Sequence, residues 1–303
     1  MKDLFFVPFA FHEEKSTGVN VKGNALDTYL KNLCVSLISA RKMNPNVDVA
    51  LVTNMQIPAK YEKLLEENRI QIFIEPFDTF LFADNYTWCL AFYKLCALEK
   101  MVTKYDYDRY IYTDADIFVQ NPLDQVFLEL KDHILLYDIN HGLAVNDYRI
   151  IVEEFNRFGI DALITHYGGE FFGANRENAK VFLEECKKIF AQMQSENFAT
   201  TKGDEFILSI AAYRLRQMVK NAGAYIFRFW TGSFYLVSTC FRYNEVSILH
   251  LPSEKGKGML KLYDYFVKKQ AFPSKEKVHK ICHLTHQPLA CWAKNQIKKL
   301  LKK

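Results

Sequence analysis

Short apolar runs alternate with amphipathic stretches through the first 120 residues. Four runs rich in Val, Ile, Phe and Tyr predict strands: 4–11, 47–53, 70–77 and 109–119. Between these runs, apolar residues recur at helical spacing and predict three helices: 25–43, 58–68 and 86–102. Strands that alternate with helices are typical of a mainly parallel sheet covered by helices on both faces. We therefore expect an α/β fold of this kind.

The second half of the chain follows a less regular pattern. Helical spacing predicts three further helices: 147–158, 176–194 and 203–217. A strand is predicted over 166–175, where paired glycines indicate a close approach to a ligand or to another backbone segment. Mixed short strands follow through His250. The simplest organisation is one domain over 1–258, with halves of about 1–120 and 121–258, and a basic extension over 259–303.

The composition is that of a globular protein. Half of the 303 residues are hydrophobic, and no apolar run reaches the roughly 18–20 residues that a membrane-spanning helix needs. The first residues, MKDLFFVPFAFHEEK, lack the basic front and the small-residue cleavage site of a signal peptide. The seven cysteines lie mostly in apolar surroundings, which favours reduced thiols. We therefore expect a cytoplasmic protein with a sizeable core.

The positive charge is concentrated at the C-terminus. Residues 255–303 carry 13 Lys and two acids, a balance of +11, so the other 254 residues carry −7 of the net +4. The end, WAKNQIKKLLKK, sets aromatic and aliphatic residues among five lysines, a pattern typical of a helix in a membrane interface. The alternative is a solvated basic terminus. Nucleic acid is not expected as a partner, because the aromatics do not follow a groove and the rest of the chain is acidic.

A pair of carboxylates follows the fourth predicted strand. Asp114 and Asp116 stand one residue apart at its end, where open α/β sheets bind their ligands. Two buried carboxylates repel each other unless a cation lies between them, and carboxylates select Mg²⁺, Mn²⁺ or Ca²⁺. Chance Asp-x-Asp pairs are common, so the alternative is a loop that solvates both acids.

Three segments resemble known glycosyltransferases. The stretch YDRYIYTDADIFVQNPLDQVF resembles the Asp-x-Asp segment of GT-A fold glycosyltransferases, and of family 8 in particular, and FYKLCALEKM is similar to the helix before it. SILHLPSEKGKGM resembles a late family 8 segment, with His250 at its metal-binding His and with Lys255 and Lys257 on either side of its usual Lys position. HYGGEFFGANRENAKVF and GDEFILSIAAY are similar to family 6. The resemblance covers roughly residues 1–258 and implies a GT-A, Rossmann-like fold.

The resemblance also implies an activity. It implies transfer of a hexose-type sugar from a nucleotide donor such as UDP-sugar to a glycan or glycolipid acceptor, with retention, as in bacterial surface polysaccharide or lipooligosaccharide synthesis. An inverting enzyme could use a similarly placed acid as base. With the basic tail, the expected location is the inner face of the plasma membrane.

The resemblance assigns roles to residues along the chain. Mn²⁺ or Mg²⁺ is expected to be bound by Asp114, Asp116 and His250. Glu205 and Asp204 are the catalytic candidates, with Glu205 facing the anomeric carbon, and Glu170 and Trp230 are the acceptor-side candidates. Lys94 stands where an Arg usually contacts the donor. The donor-binding candidates are Val7, Phe9, Ala10, Lys94, Asp114, Lys255 and Lys257.

The same residues also fit other interpretations. Asp204 and Glu205 also suit a helix N-terminus, and His250 and Trp230 also suit a core. A haloacid-dehalogenase-type phosphatase also places Asp-x-Asp after a strand, and a non-catalytic sugar- or nucleotide-binding module is a third class. The stretch HKICHLTH contains four potential zinc ligands, His279, Cys282, His283 and His286, at a spacing that matches no standard structural zinc pattern.

Overall fold

The computed structural model describes residues 1–12, 24–82, 86, 88–139, 148–162, 164–198, 200–232, 244–285 and 289–301. Over these residues, ten strands form two sheets: β1 Asp3–Phe9, β2 Asp48–Thr53, β3 Gln71–Ile74, β4 Arg109–Thr113, β5 Ile117–Val119, β6 Ile134–Asp138, β7 Tyr167–Asn175, β8 Val219–Asn221, β9 Ile226–Arg228 and β10 Ile248–His250. Ten α-helices accompany them: α1 Ala25–Met43, α2 Ala59–Glu67, α3 Tyr93–Lys104, α4 Asp124–Glu129, α5 Tyr148–Arg157, α6 Arg176–Ser195, α7 Asp204–Arg214, α8 Gly258–Lys269, α9 Lys275–Ile281 and α10 Leu289–Leu301.

The main sheet is mostly parallel. Its strand order over the described residues is β3-β2-β1-β4-β7-β6-β8. Strands β1 to β4 run parallel, whereas β7 is antiparallel to both of its neighbours, β4 and β6. A smaller sheet, β5-β10-β9, lies beside it. This architecture confirms the predicted α/β class.

The first strand is buried on both faces, which explains its continuous apolar sequence. Leu4 and Phe6 belong to a core cluster with residues of α3, α6 and α7. Phe5 and Val7 point the other way and belong to a second cluster with residues of α1 and α2. Helices therefore cover both faces of the sheet.

The predicted strand over 109–119 is wrong in one respect, because it is two strands in two different sheets. Strand β4 ends at Thr113, and β5 begins at Ile117 in the small sheet. The hydroxyl of Ser36, on buried helix α1, donates to the carbonyl of Ala115 at 2.5 Å and accepts from the N–H of Ile117 at 3.3 Å. These bonds satisfy the carbonyl of Ala115 and the N–H of Ile117, and the two aspartates of the interruption lie on either side of Ala115.

The helix predicted over 86–102 also differs at its start. A 3-10 turn, Cys89–Phe92, precedes helix α3, which continues to Lys104. None of the described helices combines the length and the hydrophobicity needed to cross a bilayer.

The first part of the predicted C-terminal extension packs on the core. Helix α8 lies against α1 and buries Met259, Leu262 and Phe266. Val278 and Cys282 belong to the same cluster as Met259. Helix α10 is different, because its large apolar side chains Leu289, Trp292, Ile297 and Leu300 are all exposed.

Candidate active site

A cleft of about 440 Å³ opens at the carboxyl ends of β1 and β4. In parallel sheets this edge is the usual place for a ligand. The cleft brings together residues from six separate segments of the chain. Its lining includes Phe9, Ala10, Tyr29, Trp88, Lys94, Asp114, Asp116, Lys202, Asp204, Glu205 and Lys255.

Three potential metal ligands meet at this edge. One ligand atom each from Asp114, Asp116 and His250 lies within 4.8 Å of the other two. The His250 Nε2 atom is 3.4 Å from Asp116 Oδ2 and 3.9 Å from Asp114 Oδ2. Asp116 Oδ2 is buried and, among the described residues, accepts no well-aligned hydrogen bond. Two carboxylates and one imidazole around a buried acceptor fit a divalent cation such as Mn²⁺ or Mg²⁺.

Cationic side chains already balance the two aspartates. Lys94 Nζ lies 3.2 Å from Asp114 Oδ1, and Lys255 Nζ lies 3.3 Å from Asp116 Oδ2. Burial raises the pKa of Asp116, but Lys255 and His250 outweigh burial and hold this pKa well below its usual value. Burial lowers the pKa of His250, but Asp116 and Glu170 raise it to about 9. Lys94, Lys255 and His250 therefore offset the repulsion between the two aspartates.

Lys94 joins the Asp pair to the start of helix α7. Its Nζ lies 2.9 Å from Asp204 Oδ2 as well as close to Asp114. Burial raises the pKa of Asp204 to about 6 in spite of this partner. The contact needs Gly169, because a Cβ atom there would overlap Lys94 Nζ and Asp204 Oδ2. The paired glycines thus make room for charged side chains of the protein itself.

Glu205 faces the cleft and is fixed by two side chains from other segments. Its Oε2 atom lies 3.0 Å from His166 Nε2, and its Oε1 atom accepts from Arg228 Nη2 at 3.1 Å. Burial raises the pKa of Glu205, but His166 and Arg228 bring it below its usual value. Glu205 is therefore a carboxylate at neutral pH, held in one orientation.

Glu170 lies behind this site rather than in its lining. Its side chain is fully buried and forms a two-bond ion pair with Arg228, with both distances 2.6 Å. Its Oε1 atom is also 3.2 Å from His250 Nδ1. A side chain with no exposed surface offers nothing to an acceptor, so the structure places Glu170 among the supports of the site.

The Glu170–Arg228 pair depends on the absence of a side chain at Gly168. A Cβ atom there would overlap Glu170 Oε2 and lie 2.7 Å from Arg228 Nη2. We expect Gly168→Ala to lower the free energy of unfolding by about 1–3 kcal/mol, the usual cost of overpacking. Gly256→Ala is the matched control, because nothing lies within 4 Å of a Cβ atom at that exposed position. Equal chemical-denaturation midpoints for the two variants would contradict this expectation.

The remaining predicted site residues lie in several places. Phe9, Ala10 and Lys255 line the cleft, whereas Val7 is fully buried in the core beneath it. Lys257 is exposed and does not line the cleft, and neither does Trp230, which is 37% exposed.

Backbone conformation, rather than contact with a ligand, explains the glycine at position 203. Its φ is +66°, in the left-handed region, and a Cβ atom there would lie 3.0 Å from Trp88 Cβ. Its position before Asp204 therefore reflects the turn that starts helix α7.

Sequence reasoning missed His166, Arg228, Tyr29 and Trp88. One signal for Arg228 was available, since it stands in the apolar run Ile226–Trp230, and a buried Arg needs an acidic partner. The other three residues carry no local signal of that kind.

The possible zinc stretch near the C-terminus finds other partners. His279 Nε2 lies 2.7 Å from Gln120 Oε1, and His283 Nδ1 lies 3.0 Å from Glu254 Oε2. His286 lies outside the described residues. Within the described part of the chain, Asp114, Asp116 and His250 form the one group of side chains that could hold a metal ion, and the stretch 279–285 contributes to no such group.

Comparison with known proteins supports the fold. No protein-family model and no curated protein matches the sequence. Among solved structures, the chain is similar to the crystal structure of mouse xyloside xylosyltransferase 1 in its apo form, with a TM-score of 0.53 and 12% sequence identity. The match covers 82% of this chain and 97% of that one. The chain has a GT-A, Rossmann-like fold, as predicted, while the resemblances to families 8 and 6 stay predictions.

Proposed function

We propose that this protein is a metal-dependent glycosyltransferase. It transfers a hexose-type sugar from a nucleotide donor, such as a UDP-sugar, to a glycan or lipid-linked acceptor, with retention at the anomeric carbon. One observation carries the proposal: a GT-A fold places a potential metal site, Asp114, Asp116 and His250, at the same cleft as the oriented carboxylate of Glu205. A cleft of about 440 Å³ is within the size range of small-molecule sites.

Asp114, Asp116 and His250 are the residues that would hold Mn²⁺ or Mg²⁺. When bound, the cation would neutralise the negative charge that grows on the leaving diphosphate. Lys255 supports the same charge from the protein side, because its ammonium group lies at the cleft next to Asp116. Lys257 is exposed and stays a weaker candidate for this role.

The two carboxylates at the start of helix α7 have different tasks. Asp204 is buried against Lys94 and ties this helix to Asp114. Glu205 is ionised and faces the cleft, so it serves as the nucleophile or as the stabiliser of an oxocarbenium-like state at the anomeric carbon. As nucleophile, Glu205 would form a bond to the anomeric carbon as the bond to the diphosphate breaks, and that new bond would break when an acceptor hydroxyl attacks. As stabiliser, it would let the hydroxyl replace the diphosphate directly. In both cases the released diphosphate takes up the hydroxyl proton.

A donor screen tests the proposal. The purified chain is incubated with Mn²⁺, a glycan or lipid-linked acceptor and a panel of nucleotide sugars, and released nucleoside diphosphate is measured. Because the structural neighbour is a xylosyltransferase, the panel also includes a xylose donor. We expect release with one donor class, dependent on the metal. Binding of a donor without turnover would favour the non-catalytic module, and hydrolysis of phosphomonoesters would favour the phosphatase.

Helix α10 is the proposed membrane contact, which would place the protein on the inner face of the plasma membrane. Its exposed side chains include Leu289, Trp292, Ile297 and Leu300, and Lys294 is exposed beside them. Five lysines from 294 to 303 add positive charge, and each near an anionic surface contributes about 1 kcal/mol. This partner suits an acceptor on a lipid carrier.

Liposome co-sedimentation tests the membrane contact. We expect the full-length chain to pellet with anionic vesicles and to be released as salt rises, because salt screens the lysines. Deletion of residues 289–303 should leave the chain in the supernatant. A triple variant that changes Trp292, Ile297 and Leu300 to Ala keeps every charge. It should pellet less than the wild type, which separates insertion of apolar side chains from charge attraction. Equal pelleting of the truncated and full-length chains would contradict the role of this helix.

A further inference from the structure

Glu170 contacts the potential metal site with both its backbone and its side chain. Its carbonyl oxygen accepts from the N–H of Asp114 at 3.2 Å, where β7 pairs with the end of β4. Its side chain reaches His250 Nδ1 at 3.2 Å. One residue of strand β7 thus touches the first and the last of the three ligands, which are more than 130 positions apart in the chain.

The imidazole of His250 lies between two sets of acids. Its Nε2 atom faces Asp116 at 3.4 Å and Asp114 at 3.9 Å, and its Nδ1 atom faces Glu170. A histidine that binds a metal through one ring nitrogen usually donates a hydrogen bond from the other, commonly to a carboxylate. That bond selects the tautomer and fixes the plane of the ring.

We propose that Glu170 is a positioning residue that orients His250 for the cation, an inference that rests on the proposed metal-dependent function. Glu170 accepts the Nδ1–H of His250, so Nε2 is the nitrogen presented to the Asp pair. Arg228 donates to Glu170 from its Nε and Nη2 atoms, and Nη2 also donates to Glu205. A single, largely covered guanidinium therefore holds both the support of the metal site and the carboxylate proposed to face the sugar.

The packing around Glu170 leaves its carboxylate few alternatives. The side chain is fully buried, and Gly168 provides the space that the carboxylate and Arg228 occupy. A buried carboxylate with one strong partner is already charge-balanced. Its additional contact with His250 is thus an orienting interaction, one that a purely structural ion pair does not need.

Metal affinity measured without donor or turnover tests this role. Isothermal titration of the full chain with Mn²⁺ should show that Glu170→Gln weakens binding by about 10- to 100-fold, the usual effect of losing such a carboxylate. Arg228→Lys is the matched control. It keeps a positive charge beside Glu170 and leaves the Glu170–His250 contact, so Mn²⁺ affinity should fall clearly less than in Glu170→Gln.

Double variants and folding controls complete the test. In a His250→Ala background, Glu170→Gln should have little further effect on Mn²⁺ affinity, because the two residues act as a unit. If Glu170→Gln alone does not fold, a double variant, Glu170→Gln with Arg228→Met, is used, because it removes both charges of the ion pair. Its Mn²⁺ affinity is then compared with that of Arg228→Met alone.

The outcomes separate this inference from the proposed function. Equal weakening by Glu170→Gln and Arg228→Lys would mean that only the ion pair matters and would overturn the positioning role. Unchanged Mn²⁺ binding in Glu170→Gln, with normal binding in the wild type, would overturn it too and leave the metal site standing. If the wild type itself bound no Mn²⁺, the metal-dependent function would fail and this inference with it.

Discussion

Asp116→Asn is expected to abolish sugar transfer and Mn²⁺ binding while the chain still folds. Asp116 is the central ligand of the group, and its buried Oδ2 atom lies closest to His250 and Lys255. A bound divalent ion contributes several kcal/mol at the leaving diphosphate, so turnover should fall by about 10³-fold or more. Asparagine keeps the shape of the side chain but loses its charge. Transfer by the wild type should likewise stop in excess EDTA and return when Mn²⁺ is added back.

The control for this variant is a paired aspartate away from the cleft. Asp27 contacts Lys31 at 2.8 Å and Lys60 at 2.9 Å, a charge arrangement like that of Asp116 with its two cationic neighbours. Asp27→Asn should lower stability without changing turnover or Mn²⁺ affinity. Alanine at 116 is a poorer choice, since it also leaves a cavity between two buried cations. Near-normal transfer by Asp116→Asn, or full activity in EDTA, would refute the metal requirement.

Glu205→Gln is expected to lower turnover by about 10²- to 10³-fold and to leave donor affinity nearly unchanged. The carboxylate faces the cleft and is held ionised by His166 and Arg228, so its charge is available where positive charge develops on the sugar. An interaction made mainly in the transition state affects kcat more than binding. Steady-state kinetics with the donor identified in the screen, together with calorimetric donor binding, provide the two readouts.

Glu185→Gln is the matched control for Glu205→Gln. Glu185 likewise contacts two nitrogen-bearing side chains, Arg214 at 2.7 Å and Lys188 at 3.2 Å, but it lies on helix α6 and does not line the cleft. Both substitutions remove one carboxylate charge that two neighbouring side chains hold in place, and only the change at 205 should affect turnover. If Glu205→Gln reduced stability alone, Glu205 would be no more than a charge at a helix N-terminus.

Much of the first half of the fold follows from local sequence pattern. The predicted helix 25–43 matches α1 residue for residue, and the predicted strands coincide with β1, β2 and β3 within a few positions at their ends. Helix α1 and strands β1 and β2 are largely buried, so their apolar spacing carries the signal. Strand β3 is only partly buried, and its Ile and Phe residues mark it as a strand. The prediction of one strand over 109–119 was wrong in the middle. Both β4 and β5 are apolar and buried, so the sequence pattern does not show the break between them. The break depends on hydroxyl groups of α1, which lie far away in sequence.

The sequence predicted some residues of the candidate site correctly and assigned another to the wrong place. The Asp pair, His250 and Lys255 were expected together and lie together. Glu170 was expected beside an acceptor, whereas the structure buries it between His250 and Arg228. A glutamate between a glycine and a phenylalanine looks the same in either role, since its partners are supplied by other strands.

The sequence by itself determined the class of fold, the strand end that holds two carboxylates and the amphipathic basic helix, because each depends on residues close together in the chain. Only the tertiary structure decided which charges pair. Strand β7 runs antiparallel between β4 and β6 and brings Glu170 beside Asp114, while β9 and β10 bring Arg228 and His250 to the same place. Electrostatic contacts act over a few ångströms of space. The order of strands in the sheets, which local spacing does not encode, therefore decides the chemistry of the site.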